Sequence, residues 1–469
     1  MKNRFIHILL SLSCVCLCLS CGQDRSGEYY ALISTKTWIY ETMQANYLFY
    51  EDIPSEDQLD FFEKPDDFVR SASSSRDQKN GTYFSHVDSV SMTRATSDYP
   101  TFGFEAAVVR TLNGTQTFRV IYVQPDSPAT EAGLKRGDWI IAVDGEEISS
   151  NDYEEFVGRP TTSHSFTLGA YNPYDETQDA ELYVEFDTLG TVNLPAPRLV
   201  EEQDILATST LTASNGRRAY YILYNAFSED SEQIQAALSA VSASDDIILD
   251  LRYNPGGYVA TAQVVSTLLA PSSAIGQPFL NMTYNDKINQ TETLNFDAGL
   301  LAGGVPLSYR NLYVVTSEST ASASEIVINC LRPYMEGRLF QVGTATFGKN
   351  VAQQRFTDEE SPLIELWLTT TLLSNSNNFS DYYTNGLEPD FEIAEDFGDT
   401  LEDFGSTGDR LLQPILYHMA NGAFPVTENK DDNNENADEA GATRASRGVK
   451  GCQTVYNPIE KRPKLNKLE

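Results

Sequence analysis

The chain has 469 residues with 41% hydrophobic content, enough for about two or three domains with real cores. Its formal net charge is −34, which argues against nucleic acid as a partner because the phosphates would be repelled. Only Cys330 and Cys452 lie beyond residue 21, too few for a disulfide framework or a zinc site, so no metal is expected.

At the N-terminus, Lys2 and Arg4 precede an apolar run over residues 5–19 that is too short to span a membrane. Ser20, Cys21 and Gly22 follow. This order resembles a bacterial lipoprotein signal. The resemblance implies that residues 1–20 are removed, that Cys21 carries the lipid, and that the protein is anchored to a membrane of the cell envelope. Residues 21–98 read as a helical N-terminal region. Tyr30, Ile33, Trp38, Ile39, Met43, Tyr47 and Leu48 follow a helical period, and Pro54, Pro65 and the serines of 71–75 break it. Packing, rather than substrate gating, is its simplest role. The region resembles one found in Bacteroidetes lipoproteins.

From residue 99 to 190 the pattern changes to short strands. Residues 118–123 read as a strand; Ser127, Pro128 and Ala129 open a short helix that Gly133 ends; Gly137 and Asp138 lead into the apolar run 139–143. This order resembles a PDZ domain. The resemblance implies that a peptide's C-terminal end adds as an extra strand beside a helix, with Gly103, Phe104 and Glu105 as the loop that holds its carboxylate. A closed PDZ acting as a cover is the alternative. Residues 189–201, with two prolines, read as a linker.

Over residues 200–395 strands alternate with helices. Residues 220–224 and 247–251 read as strands, 231–241 and 260–269 as helices, and 312–316 and 366–373 as further strands. Such an order predicts an α/β core of βαβ units with crossover connections. A segment 396–425 carries an apolar helix at 409–420. Residues 426–469, dominated by Asp, Asn, Glu and Lys at 429–438 and basic near 461–464, read as a solvated, disordered tail.

The chemistry concentrates in three places. Thr320, Ala321, Ser322, Ala323, Ser324 and Glu325 put hydroxyls among small residues at a helix start; Phe347, Gly348 and Lys349 follow, and then Gln353. Serine is a poor nucleophile without a base. The chain's four histidines, His7, His86, His164 and His418, all lie more than fifty residues from Ser322 in sequence. A desolvated lysine can serve instead, because burial disfavours its charge. The third place is the strand 247–251 running into Asn254, Pro255, Gly256 and Gly257, a turn with exposed N–H groups of the kind a tetrahedral intermediate needs.

Together these motifs resemble the carboxyl-terminal processing peptidases, or tail-specific proteases (serine peptidase family forty-one). The resemblance implies a protease core with ClpP/crotonase-like βαβ units and a Ser/Lys dyad. Ser322 is then the nucleophile, with Ser324 the alternative because the spacing to the lysine is about two residues long. Lys349 is the base, Gln353 orients it, and the oxyanion hole is Ala323 with Gly256 or Gly257. Asn350 replaces the usual Gly after the lysine. Glu325 reads as a complement to the helix N-terminus, and Asp250 and Arg252 as structural contacts. The resemblance also implies substrates that are proteins or peptides with accessible C-termini. No cofactor is implied, and no phosphate-binding Gly loop followed by Lys and Ser or Thr is present. The alternative is a non-catalytic peptide-binding lipoprotein of the same fold.

Overall fold

The computed structural model describes residues 26–89, 99–173, 183–243, 245–359, 364–426, 452–461 and 465–468. The expected signal peptide, Cys21 and the acidic run 429–438 lie outside them. Among the described residues no helix is long and apolar enough to cross a membrane.

The N-terminal region holds helices α1 (Ser26–Asn46) and α2 (Pro65–Ala72). Ile39, Met43 and Tyr47, spaced by four and fully buried, make one face. With Phe68, Val69 and Ala72 they pack on Leu366 and Leu368 of the core. Strand β1 (His86–Ser89) then pairs with a core strand. This region is therefore part of the core's packing.

The next unit is a sheet of β2 (Phe104–Arg110), β3 (Gln116–Val123), β4 (Trp139–Val143), β5 (His164–Tyr171) and β6 (Phe186–Leu194), with the short helix α3 (Pro128–Ala132). Ser127 caps α3 by accepting the Thr130 N–H at 3.2 Å, and Gly133 ends it at φ 84°. Strand β6 continues to Leu194, so the expected linker from residue 189 starts too early. That stretch is mostly exposed and is followed by Pro195 and Pro197, which read as a break, but antiparallel pairing with β5 satisfies its backbone as far as Leu194.

The core has two sheets. The first runs β7 (Ile205–Thr212), β8 (Arg218–Tyr224), β9 (Asp246–Asp250), β13 (Leu312–Thr316), β14 (Leu339–Gly343) and β17 (Phe391–Glu392). Only β7 and β8 pair antiparallel; the rest are parallel. Helices α4 (Glu232–Leu238), α5 (Val259–Leu269) and α6 (Ala323–Leu331) supply the crossovers. β9 and β13 are buried at every position, which explains their nearly unbroken apolar sequence. The second sheet contains β10 (Gly256–Tyr258), β11 (Pro278–Tyr284), β12 (Thr291–Asn295), β15 (Val351–Phe356) and β16 (Ile364–Ser374), with β1 on β16. Helix α7 (Gln413–Asn421) packs Ile415 and Met419 on the first sheet.

The last forty or so residues were expected to be disordered, and part of them is not. Strand β18 (Gln453–Tyr456) pairs with β2, a short helix α8 (Pro458–Lys461) follows, and β19 (Leu465–Leu468) lies between β10 and β15. The physical reason is local. Val455 and Tyr456 pack on the β2–β6 unit, Ile459 is 1% exposed, and Leu468 packs on the main core. The polar composition of the stretch as a whole masks these four apolar anchors.

Candidate active site

The site lies at the carboxyl ends of β9 and β13, where an open α/β sheet leaves loop backbone exposed to a ligand. The loop after β9 is fixed from below. Arg252 is buried and paired with Asp250 (2.7 Å), Asp409 (2.9 Å) and Glu395 (3.0 Å). Burial works against the charge of Glu395, but Arg136 and Arg252 outweigh it and hold the carboxyl down to about 2. Asp250 and Arg252 thus make the structural contacts expected of them.

Above that ion cluster the Gly turn is tied by Asn254. Its Nδ2 donates to the Tyr224 carbonyl, its Oδ1 accepts the Gly256 N–H at 2.9 Å, and its carbonyl accepts the Ala321 N–H and the Ser324 hydroxyl. Gly257 sits at φ +144°, and a Cβ there would lie 2.1 Å from the Phe227 carbonyl oxygen. Glycine is therefore required at this position on both conformational and steric grounds.

Ser322 holds the N-cap position of α6 at φ 66°, ψ −121°. A positive φ on a non-glycine residue costs of order 1–3 kcal/mol and persists only where its surroundings enforce it. The enforcing group is Glu325. Its Oε2 accepts the N–H of Ser322 (2.7 Å) and of Lys349 (2.8 Å), and its Oε1 accepts the Gly348 N–H (2.6 Å) and the Thr346 hydroxyl (2.5 Å). Burial pushes this carboxyl up, and the four donors oppose that. Glu325 is thus the joint between the serine turn and the lysine loop, a role beyond complementing the helix N-terminus. The Ser322 hydroxyl is buried and has no hydrogen-bond partner among the described residues. The Ser324 hydroxyl instead donates to Asn254 at 3.2 Å. Ala323, first in the helix, has no acceptor for its N–H within α6.

Lys349 is fully buried, and its Nζ donates to Gln353 Oε1 at 2.6 Å. Gln353 Nε2 donates to Thr369 Oγ1 (2.9 Å), which donates to Asp77 at 2.5 Å. The Phe84 ring lies 4.9 Å from the ammonium. Burial brings the Lys349 pKa from 10.5 down to about 7; Asp77 and Glu325 oppose the shift and Lys467 reinforces it. Lys79 donates to the carbonyls of Phe347, Tyr383 and Thr384, which clamps the loop before Lys349. Asp77, Lys79 and Phe84 all come from the N-terminal region, and sequence reading missed them. They lie more than 260 residues from Lys349, and only the packing of α1 and α2 on β16 brings them in.

The structure places Gly103, Phe104 and Glu105 at the start of β2. The Gly103 N–H donates to Thr101 Oγ1 (3.2 Å), Phe104 is buried, and Glu105 accepts from Tyr153 at 2.8 Å. Among the described residues no cluster of His, Cys, Asp and Glu could hold a metal.

Comparison with known proteins agrees with this layout. Residues 218–393 match Peptidase family S41, residues 119–158 match a PDZ domain, and residues 34–86 match the Peptidase S41 N-terminal domain. A crystallised protein from Bacteroides fragilis NCTC 9343, classed with the S41 proteases, is 30% identical with a TM-score of 0.71, over 82% of this chain and 97% of that one. A carboxyl-terminal-processing protease of Picosynechococcus is 29% identical over 50% of this chain and 52% of its own length. The carboxy-terminal processing protease CtpB of Bacillus subtilis is 27% identical over 66% of this chain and 58% of its own length. The chain thus spans a little over half the length of these curated relatives. With an S41 N-terminal domain, a PDZ domain and an S41 core in that order, and a near full-length structural relative, the chain belongs to peptidase family S41.

Proposed function

We propose that this protein is a serine endopeptidase of the cell envelope that uses Ser322 and Lys349 as a catalytic dyad. The observation that carries the reading is the buried Lys349, near-neutral at physiological pH, held by Gln353 and joined through Glu325 to a strained serine whose hydroxyl has no other partner. Ser324 is the weaker nucleophile because its hydroxyl is committed to Asn254. Gly257 is the better second oxyanion donor because the Gly256 N–H is committed to the same residue.

In the reaction, neutral Lys349 Nζ takes the Ser322 proton as Oγ attacks the peptide carbonyl. The N–H groups of Ala323 and Gly257 stabilise the oxyanion. Collapse expels the amine, which takes the proton from Lys349, leaving an ester on Ser322. Water then gives its proton to Lys349 and attacks the ester, and Ser322 is restored. The PDZ domain presents protein substrates with accessible C-termini, and a lipid on Cys21 anchors the enzyme to the membrane.

The test is hydrolysis of an unstructured protein such as β-casein by the chain from residue 22. Activity lost in Ser322→Ala and Lys349→Ala and kept in Ser324→Ala is expected. Loss in Ser324→Ala alone would move the nucleophile. An inactive wild type that still binds peptides would favour the non-catalytic reading.

A further inference from the structure

The strand between the Gly turn and the lysine strand comes from the chain's own tail. β19 pairs in parallel with β10 on one side, with Leu465 opposite Gly256, Asn466 opposite Gly257 and Lys467 opposite Tyr258. On the other side Lys467 and Leu468 pair with Gln353 and Gln354 of β15. The tail therefore lies against the turn read as the oxyanion hole and against the partner of Lys349. Upstream, β18 adds antiparallel to the edge of β2, and the Tyr456 ring packs tilted against Tyr153 with centroids 4.8 Å apart, beside residues 154–158. An added strand on a sheet edge beside a helix is how PDZ domains take peptides. The two tail strands thus occupy the PDZ edge and the flank of the candidate active site.

The seating is built. The Lys467 ammonium lies 4.3 Å from the Trp367 ring centroid and 5.8 Å from that of Tyr258, while Leu468 packs on the main core. Residues 461–467 include Lys461, Arg462, Lys464 and Lys467, cations in a chain of net charge −34. Ser322 and Lys349 are each 0% exposed, and β19 runs along the Gly turn and the Gln353 strand that flank them.

We propose that the two tail strands are a built-in competitive ligand: β18 and β19 hold the PDZ edge and the catalytic groove shut in the resting protein, and a substrate must displace them. The groove's own ligand then defines its preferred class, an extended strand with a cationic side chain over Trp367 and Tyr258 followed by an apolar one. This inference rests on the reading of Ser322 and Lys349 as the catalytic pair. A tethered segment acts at an effective concentration of about 1 mM, so a tail of only ~100 μM affinity lowers activity about tenfold.

The test compares casein hydrolysis by the wild type, a form ending at residue 451, and Asn466→Pro. Proline at that position removes an N–H from a strand paired on both sides. A roughly tenfold rise in both variants, reversed by a synthetic 452–469 peptide, is expected; equal rates in all three overturn the proposal. A readout independent of turnover is fluorescence anisotropy of the labelled 452–469 peptide on the truncated Ser322→Ala form, with saturable binding expected and weakened by Trp367→Ala. Absence of binding to a truncated form that retains its thermal transition overturns the proposal. Binding without hydrolysis by any form supports the tail site and overturns the peptidase reading instead. Intact mass spectrometry gives the last arm: removal of the tail by wild type but not by Ser322→Ala would make it a substrate and overturn its role as an inhibitor.

Discussion

A lysine acts as the base only when neutral, so kcat follows the deprotonated fraction of Lys349 in the occupied groove. At a pKa of about 7, that fraction is roughly 3% at pH 5.5 and roughly 90% at pH 8, so kcat rises about 30-fold across this range. With the ordinary lysine value of 10.5 the neutral fraction at pH 8 is about 0.3%, so burial contributes about 300-fold to the base population. The perturbation that tests the cause is Asp77→Asn. Burial is the main reason for the low value, and the Asp77 charge opposes it by favouring the ammonium. Removing that charge lowers the Lys349 pKa further and moves the acid limb to lower pH. The assay is kcat against pH from 5 to 9 with a quenched peptide that carries Lys at the Trp367 subsite, for the tail-truncated form with and without Asp77→Asn. The substrate strand then takes the place of β19. A kcat that is flat over this range, or an acid limb that moves up in Asp77→Asn, refutes the assignment of Lys349 as a buried base.

The buried lysine also has a stability cost. The unfolded chain holds the extra proton between about pH 7 and 10.5, so the cost of burying the lysine is full below about pH 7 and is relieved as pH rises to 10.5. Lys349→Met is therefore expected to be inactive yet more stable by about 2–4 kcal/mol at pH 7.5, with the gain shrinking toward pH 10 in denaturant melts. Glu325→Gln cannot accept all four of the donors that now converge on the carboxylate. A loss of at least ~3 kcal/mol in stability and more than about 100-fold in kcat is expected, read by melts and turnover on the same preparations. Lys79→Met releases three carbonyls around the lysine loop; kcat falls while KM for a short peptide changes little, and an unchanged kcat would remove Lys79 from the site's support. Gly257→Ala forces the turn away from Phe227 and is expected to abolish hydrolysis while β18 stays paired on β2 in the full protein, read by hydrogen exchange of its amides.

What was legible in the sequence is what local pattern encodes. β9 and β13 were read because strands covered on both faces are apolar at nearly every position. The Gly turn stood out as paired glycines directly after an apolar strand, and the structure supplies the reason for one of them, since Gly257 has no room for a side chain. Glu325 was read too narrowly because an acid in the first turn of a helix is ordinary. Its four donors belong to two loops that meet only in the folded state. Asp77, Lys79 and Thr369 carry no local signal for the same reason. The tail was misread because the acidic run set the average over a stretch whose order depends on four separated apolar residues.

The origin of these unread residues bears on how activity is controlled. The serine turn and the lysine belong to one core, but the groups that set the charge and position of the lysine do not. Asp77 and Lys79 come from the N-terminal region, and Lys467 comes from the tail. All three are cationic or anionic groups placed around a base whose pKa lies close to physiological pH, where the neutral fraction changes most steeply with small shifts. Exchange of the tail for a substrate therefore changes two things at once. It opens the groove, and it removes one positive charge from beside the base, which raises the Lys349 pKa unless the substrate supplies a cation at the same place. A substrate with Lys or Arg over Trp367 keeps the base neutral, and one with an acidic residue there favours the ammonium. The same subsite thus selects in binding and again in kcat. Peptides differing only at that position should diverge in turnover at pH 6.5, where the base is partly protonated, and converge at pH 8.5. Divergence that is the same at both pH values would mean that the subsite acts through binding alone.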